Sequence, residues 1–328
     1  LHLSLRRQRQ MCIRDSIKAV AQPGKQAFLY VFDRETGEPV WPIEERPVPQ
    51  GDVPGEWYSP TQPFPTKPPA YDRQGSSIDD LIDFTPELRA EAIELVSRYK
   101  LGPIFTPPVI SKEDGPIATL GLGAGSGGTN WPGGGYDPET HIIYIPSRTG
   151  FYSWELISPP DSDITDMRFV KGTEKRGVGH GGLRDLNVRG LPLVKPPYGR
   201  LSAIDMDRGE ILWQTPHGDT PDRLKNHPAL AELDIPRTGE SCIHLIGPLV
   251  TKTLVVMGEC SYHRTEAGRG AMLRAYDKKT GTEVGQVFMP APQSGSPMTY
   301  QVDGQQYIVL AISGRTYSGE YIAFKLPS

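Results

Sequence analysis

No run of about 18 or more apolar residues occurs in this 328-residue chain, so the sequence contains no helix built to cross a membrane. Charge of one sign is never concentrated either. Lys+Arg 35 against Asp+Glu 39 give a net charge of -4 with no basic stripe and no acidic tail, which argues against nucleic acid as a partner. Cysteine is scarce, with 3 in all, and the absence of Cys-x-x-Cys-His excludes c-type haem attachment within the chain. What is abundant is Gly 36 and Pro 33, without a collagen-like period or a featureless tract. Many tight turns between short strands account for both.

Residues 1–16 stand apart, with no hydrophobic period and no apolar signal-peptide core. Met11-Cys12-Ile13-Arg14-Asp15-Ser16 resembles the translation of an adapter used to prepare sequencing libraries. We read 1–16 as an assembly artefact and 17–328 as the protein proper; a genuine basic tail or targeting segment is the alternative. On this reading the true start, with any signal sequence or membrane anchor, lies upstream. Setting Cys12 aside leaves Cys242 and Cys260, an even pair of the kind an oxidising compartment favours.

A short theme recurs along the chain. Tyr30-Val-Phe-Asp33-Arg-Glu-Thr36-Gly37 leads to Trp41, Ala203-Ile-Asp205-Met-Asp-Arg-Gly209 leads to Trp213, and Arg274-Ala-Tyr-Asp277-Lys-Lys-Thr280-Gly281 leads to Val284. Each reads as strand, tight turn, strand, in which the Asp side chain caps turn amides and the Gly supplies a positive φ. A partial fourth copy, Tyr136-Asp137-Pro138-Glu139-Thr140, puts His141 where the others have Gly. Repetition of one hairpin signature marks an all-β repeat architecture, and four-stranded blades make a propeller. The spacing exceeds the ~40–45 residues of simple blades, so long insertions must separate strands.

Further strands are expected at Leu249-Val250 with Leu254–Met257, and at Tyr307–Ala311 after the Asp303-Gly304 turn. One insertion is helical, with Thr85 as N-cap, Pro86 at the first position and a pattern running to Tyr99 before Gly102-Pro103; it is expected to pack on the surface. The Pro-rich stretches Arg46–Pro69 and Leu191–Tyr198 read as rigid connections, because their aromatic residues need somewhere to pack.

The repeat, with its terminal Trp41 and Trp213, resembles the blade motif of the quinoprotein alcohol and glucose dehydrogenases, in which the Trp packs between neighbouring blades. Gly285, one past Val284, leaves the third copy without the aromatic. More specific are Lys25–Arg34, Glu45–Gln50, Ser59–Pro65, Asn130-Trp131 through Glu139, Pro197–Asp205 and Pro297–Tyr300, which resemble the membrane glucose-dehydrogenase-like branch and run in its order from Lys18 to Pro327. The resemblance implies an all-β, quinoprotein-type propeller with a helical insertion, of which this chain is the carboxy-terminal part: about four blades of an eight-bladed parent.

It also implies oxidation of a sugar or alcohol hydroxyl on pyrroloquinoline quinone, a Ca²⁺ ion polarising that quinone, and electrons passed to ubiquinone or cytochrome c in the periplasm. Lys25 matches the lysine that this branch sets against the quinone oxygens, and Asn130 and Trp131 match its Asn-Trp element at the cofactor. Each has a plainer reading: Lys25 as an exposed lysine before a strand, Asn130 as a residue shaping a Gly-rich turn. The Asp base and most Ca²⁺ ligands of the family belong to segments upstream of Lys18. No catalytic or metal-binding residue is therefore assigned here, and the chain alone is expected to be inactive. Asp33, Asp205 and Asp277 are turn caps by their spacing.

The Gly-rich Gly121–Gly128 lacks the Gly-Lys-Ser/Thr ending of a phosphate-cradling loop and reads as a loop near the quinone. Cys242-Ile-His244 and Glu259-Cys260-Ser-Tyr-His263 leave three outcomes open: packed thiols, a disulfide across a hairpin turning near Lys252, or a zinc-type site. The rival to an enzyme is a non-catalytic propeller scaffold of the outer-membrane-assembly kind, which needs no cofactor contacts.

Overall fold

The computed structural model describes residues 16–112, 114–123, 127–159, 166–171 and 186–325. Four sheet sectors follow one another in chain order. The first pairs Ala19–Pro23 with Leu29–Asp33 and Ile43–Pro47 with Thr61–Pro65. In the second, Gly135–Asp137, Ile142–Arg148, Gly199–Asp205 and Glu210–Pro216 form an antiparallel sheet in that order. The third orders Leu249–Val250, Leu254–Gly258, Gly268–Asp277 and Glu283–Met289, with His263–Thr265 pairing the long strand. The fourth is the three-stranded meander Gln293–Val302, Gln305–Gly314 and Tyr317–Lys325.

Period-two alternation explains how the sectors stack, since successive side chains of a strand point to opposite faces. Ile143 and Ile145 pack against Leu29 and Val31 of the first sector, while Tyr144 between them joins Val255, Met257 and Tyr276 of the third. Val256 in turn faces the fourth sector with Ile308, Leu310 and Ile312. Each middle sheet is thus apolar on both faces, and the sheets pack face to face in series.

The recurrent turns are the joints. Asp33 Oδ1 accepts from Glu35 N–H and Thr36 N–H at 2.8 and 3.1 Å; Asp205 and Asp277 repeat this at the equivalent amides. Gly37, Gly209 and Gly281 have φ of 78°, 67° and 73°, and His141 takes the same left-handed conformation at 55°. The turn of one sector also seats the tryptophan of the preceding one. A Cβ on Gly281 would lie 2.6 Å from the Trp213 ring, and one on Gly209 would lie 3.1 Å from Trp41. Trp213 Nε1–H donates to Lys278 O at 3.2 Å, and Lys278 Nζ donates to the buried Asp137 Oδ2 at 2.6 Å.

The innermost strands converge on a hub where only small residues fit. A Cβ on Gly135 would come within 2.6 Å of Val250, and Ile246 bridges Gly295. Gln293 fastens this point, accepting from Gly258 N–H and donating to Gly247 O and Gly295 O, both at 2.8 Å.

Two local expectations differ from the structure. The helix is Pro86–Val96, with Thr85 Oγ1 accepting from Leu88 N–H at 3.2 Å, and it stops short of Tyr99 because Tyr99–Lys100 pairs in parallel with Ala118–Thr119. It buries Leu88, Ala92 and Val96 in a separate core with Val188, Leu191 and Leu193. The Pro-rich stretch from Arg46 is partly a strand pair, which tolerates Pro63 and Pro65 because a two-stranded sheet has only edge strands. The insertions build a further sheet from Tyr99–Lys100, Val109–Ile110, Ala118–Gly121, Tyr152–Ile157 and Val170–Lys171.

Candidate functional site

Lys25 lies in the tight loop joining the first two strands, where Gly24 N–H donates to Phe28 O at 2.8 Å and Ala27 N–H to Gly24 O at 3.0 Å. Its carbonyl accepts from Gly128 N–H at 2.8 Å, so the segment leading to Asn130 is tied to it. The approach demands glycine: at Gly127, with φ of 76°, a Cβ would stand 2.4 Å from that of Lys25. Ala124–Ser126 of the Gly-rich run lie outside the described residues. The structure thus brings Lys25 and the Asn130-Trp131 turn to one place although 105 positions separate Lys25 from Asn130.

Asn130 does shape its turn, Oδ1 accepting from Trp131 N–H at 3.0 Å and its carbonyl from Gly133 N–H at 2.9 Å. The Trp131 side chain projects with 81% exposure, and the following Pro132 carbonyl borders Gly247 at the hub. An exposed indole face at a hub is a surface on which a flat ring can stack.

Two further residues join this place. Arg148, at the end of the strand Ile142–Arg148, donates its N–H to Gly128 O at 2.7 Å, and its guanidinium lies over the Tyr152 ring at 5.3 Å. His244 is buried, and its pKa is pushed down to about 4, first by burial and then by the charges of Arg148 and Lys25 against a hydrogen bond to the Ser241 backbone. It is therefore neutral near pH 7, with Nδ1 buried and without a hydrogen-bond partner among the described residues. Arg148 carries no sequence signal beyond ending an apolar strand, and His244 stood in the sequence only as part of a possible zinc motif.

Cys242 and Cys260 form a disulfide, with sulfurs 2.05 Å apart, which decides among the three sequence outcomes. His263 instead donates to Glu240, while Glu259 accepts from Arg274 Nε at 3.0 Å and Nη2 at 2.6 Å, and from Asp219 N–H and Met272 N–H. Glu240, Glu259 and His263 do crowd within 4.8 Å, but their ligand atoms are engaged internally and fall short of the roughly six to eight oxygens calcium takes. The described residues do not fit a calcium ion. They do fit an anionic, planar quinone: Lys25 and Arg148 supply positive charge around the orphaned His244 nitrogen, and Trp131 supplies a free aromatic face.

The sequence matches the family described as "PQQ: Glucose/ethanol/alcohol dehydrogenase, beta-propeller domain" over residues 11–308. It is 30% identical over 332 residues to the quinoprotein glucose dehydrogenase of Escherichia coli (strain K12), covering 95% of this chain and 39% of that protein. It is 28% identical over 325 residues to the quinate/shikimate dehydrogenase (quinone) of Acinetobacter baylyi, covering 93% of this chain and 37% of that protein. The chain therefore spans about two fifths of the length of these relatives. Among solved structures, a quinohemoprotein alcohol dehydrogenase of Pseudomonas putida HK5 superposes on 92% of this chain and 32% of its own, with a TM-score of 0.47 and 18% identity. The chain belongs to the PQQ-dependent glucose/ethanol/alcohol dehydrogenase β-propeller family.

Proposed function

We propose that the complete protein bearing this chain is a dehydrogenase that oxidises a hydroxyl of a small alcohol or sugar, and that this chain supplies one wall of its pyrroloquinoline quinone site. The observation that carries the reading is the lock between Lys25 and Gly127-Gly128, which sets a cation beside the Asn130-Trp131 turn, with Arg148 and His244 converging on it. The family match and the dehydrogenase names of both relatives favour catalysis over the scaffold reading.

When bound, the quinone supplies a two-electron acceptor for the hydride of the carbinol carbon. Lys25 stabilises negative charge developing on an oxygen beside it, which a preorganised cation does at no cost of reorganisation. Arg148 holds anionic groups of the cofactor, Trp131 covers a ring face and the Asn130 amide orients a polar edge. His244, uncharged, offers an acceptor nitrogen without adding a third positive charge.

The base that takes the hydroxyl proton, and any calcium ligands, are assigned to segments outside the described residues. A quinone, which the name of the Acinetobacter relative carries, is the proposed electron acceptor. The Cys242–Cys260 disulfide supports a periplasmic setting.

The test is Lys25→Ala in the complete, cofactor-loaded enzyme, with cofactor affinity measured separately by spectroscopic titration. A fall in kcat of about 10²-fold is expected, the scale of one lost electrostatic stabiliser. An unchanged kcat would remove Lys25 from the site.

A further inference from the structure

A cavity of about 420 Å³ opens beside the cofactor wall, in the size range of small-molecule sites. Its lining is uneven in charge. Arg148 and Arg223 border it, and among the described residues no Asp or Glu does. Arg223 makes no ion pair or hydrogen bond among the described residues, although carboxylates are common on this chain. Tyr198 is only 3% exposed, and its hydroxyl has no hydrogen-bond partner among the described residues. Burial and the neighbouring Arg223 and Arg73 act on that hydroxyl in opposite senses, and burial prevails, so it stays a neutral donor. Phe151 and Leu193 give the remaining wall an apolar face.

An unpaired buried donor is costly unless something occupies it, and a wall whose described charged residues are both cationic favours an anion. The cavity meets the cofactor wall through Arg148, whose backbone binds Gly128 and thus the Lys25 loop, and through Ser241, whose backbone bonds His244.

We propose that this cavity receives the carboxylate end of the substrate, and hence that the hydroxyl oxidised belongs to a small hydroxy acid rather than to a neutral alcohol or sugar. Arg223 and the Tyr198 hydroxyl grip the carboxylate, and the apolar face packs the carbon skeleton. This rests on the dehydrogenase reading above and specifies the substrate of that same site.

The test uses two pairs of probes that differ by a carboxylate, gluconate against sorbitol and mandelate against benzyl alcohol. Binding to the complete, cofactor-free protein is measured by calorimetry, and KM is measured on the loaded enzyme. The expected result is that at least one carboxylate binds while its neutral counterpart does not. Arg223→Gln should weaken that binding and raise KM by about 10-fold or more, the scale of a charge-assisted hydrogen bond. Arg223→Lys should recover part of the loss, and Tyr198→Phe should weaken carboxylate binding while leaving the binding of the neutral counterpart unchanged.

Equal binding of both members of each pair, or an equal effect of Arg223→Gln on both, overturns the inference while leaving the dehydrogenase reading intact. Carboxylate binding that depends on Arg223 while only neutral compounds are turned over overturns it too. Arg223-dependent binding with no turnover of any probe overturns the dehydrogenase reading instead and leaves the carboxylate site standing.

Discussion

At the scale of single residues, buried polar groups without a hydrogen-bond partner among the described residues stand out, with His244 Nδ1 the case at the hub. Glu155 is the extreme case away from the site: it is 2% exposed, and neither carboxylate oxygen is hydrogen-bonded among the described residues. Burial raises its pKa to about 7, against the smaller opposing effects of Lys171 and its own backbone. A carboxyl whose folded pKa is raised binds its proton more tightly than the unfolded chain does. Its contribution to stability is therefore full below about pH 4.5 and is lost as pH rises through about 7. Glu155→Gln keeps the shape and removes the titration. The variant should unfold at higher urea than the parent chain at pH 8, by about 1–3 kcal/mol, with the gap closing near pH 4.5. A gap independent of pH would show that the carboxyl is not held uncharged. His244 shifts the opposite way, to about 4, because burial disfavours its charged form and two cations stand nearby. Its neutrality spares the hub a third positive charge near Lys25 and Arg148.

At the scale of elements, the hairpin turn does two jobs that one sequence motif conceals. The Asp caps the turn amides, and the Gly at positive φ lets the next sheet press on a tryptophan. Gly37 and Gly281 separate these jobs: both have left-handed φ, but a Cβ on Gly37 meets nothing within 4 Å, whereas on Gly281 it meets Trp213 at 2.6 Å. Gly37→Ala should cost about 1 kcal/mol of stability, the left-handed penalty alone. Gly281→Ala should cost about 1–3 kcal/mol more, because Trp213 must also move. Thermal unfolding of the two variants checks this, and equal losses would mean that Trp213 is not held between sheets. His141 pays the left-handed penalty in the fourth copy and recovers something through Nδ1, 3.0 Å from Asp207 Oδ1.

At the scale of the whole molecule, the candidate site belongs to no single sheet. Lys25 comes from the first sector, Asn130, Trp131 and Arg148 from the approach to and body of the second, and His244 from the link to the third. Such a site exists only when sheets stack. The last sheet also leaves Met298, Val302 and Tyr321 exposed at 54%, 49% and 82%, along a meander whose outer strand Tyr317–Lys325 pairs on one side only among the described residues. We expect the 328-residue chain by itself to reduce no artificial acceptor with alcohol and cofactor, and to self-associate at tens of micromolar, on the order at which exposed strand edges aggregate. Sedimentation velocity and a dye-reduction assay check both, and a monomer that turns over substrate would refute the expectation.

Local chemistry made the strands, turns, caps and the family resemblance legible in the residues: Asp-x-x-x-Gly spacing encodes a turn wherever it lies, and alternation encodes a two-faced strand. The candidate cofactor contacts Lys25, Asn130 and Trp131 were legible only as motif matches. Tertiary structure alone decided that Gly127 presses on Lys25, that Arg148 and His244 join them, that Cys242 and Cys260 bond, and that Arg223 and Tyr198 face a shared cavity. The physical reason is range. Turn and strand preferences are settled within a few residues, whereas the pKa of a buried histidine or the partner of a cavity arginine depends on groups brought together from far apart in the chain.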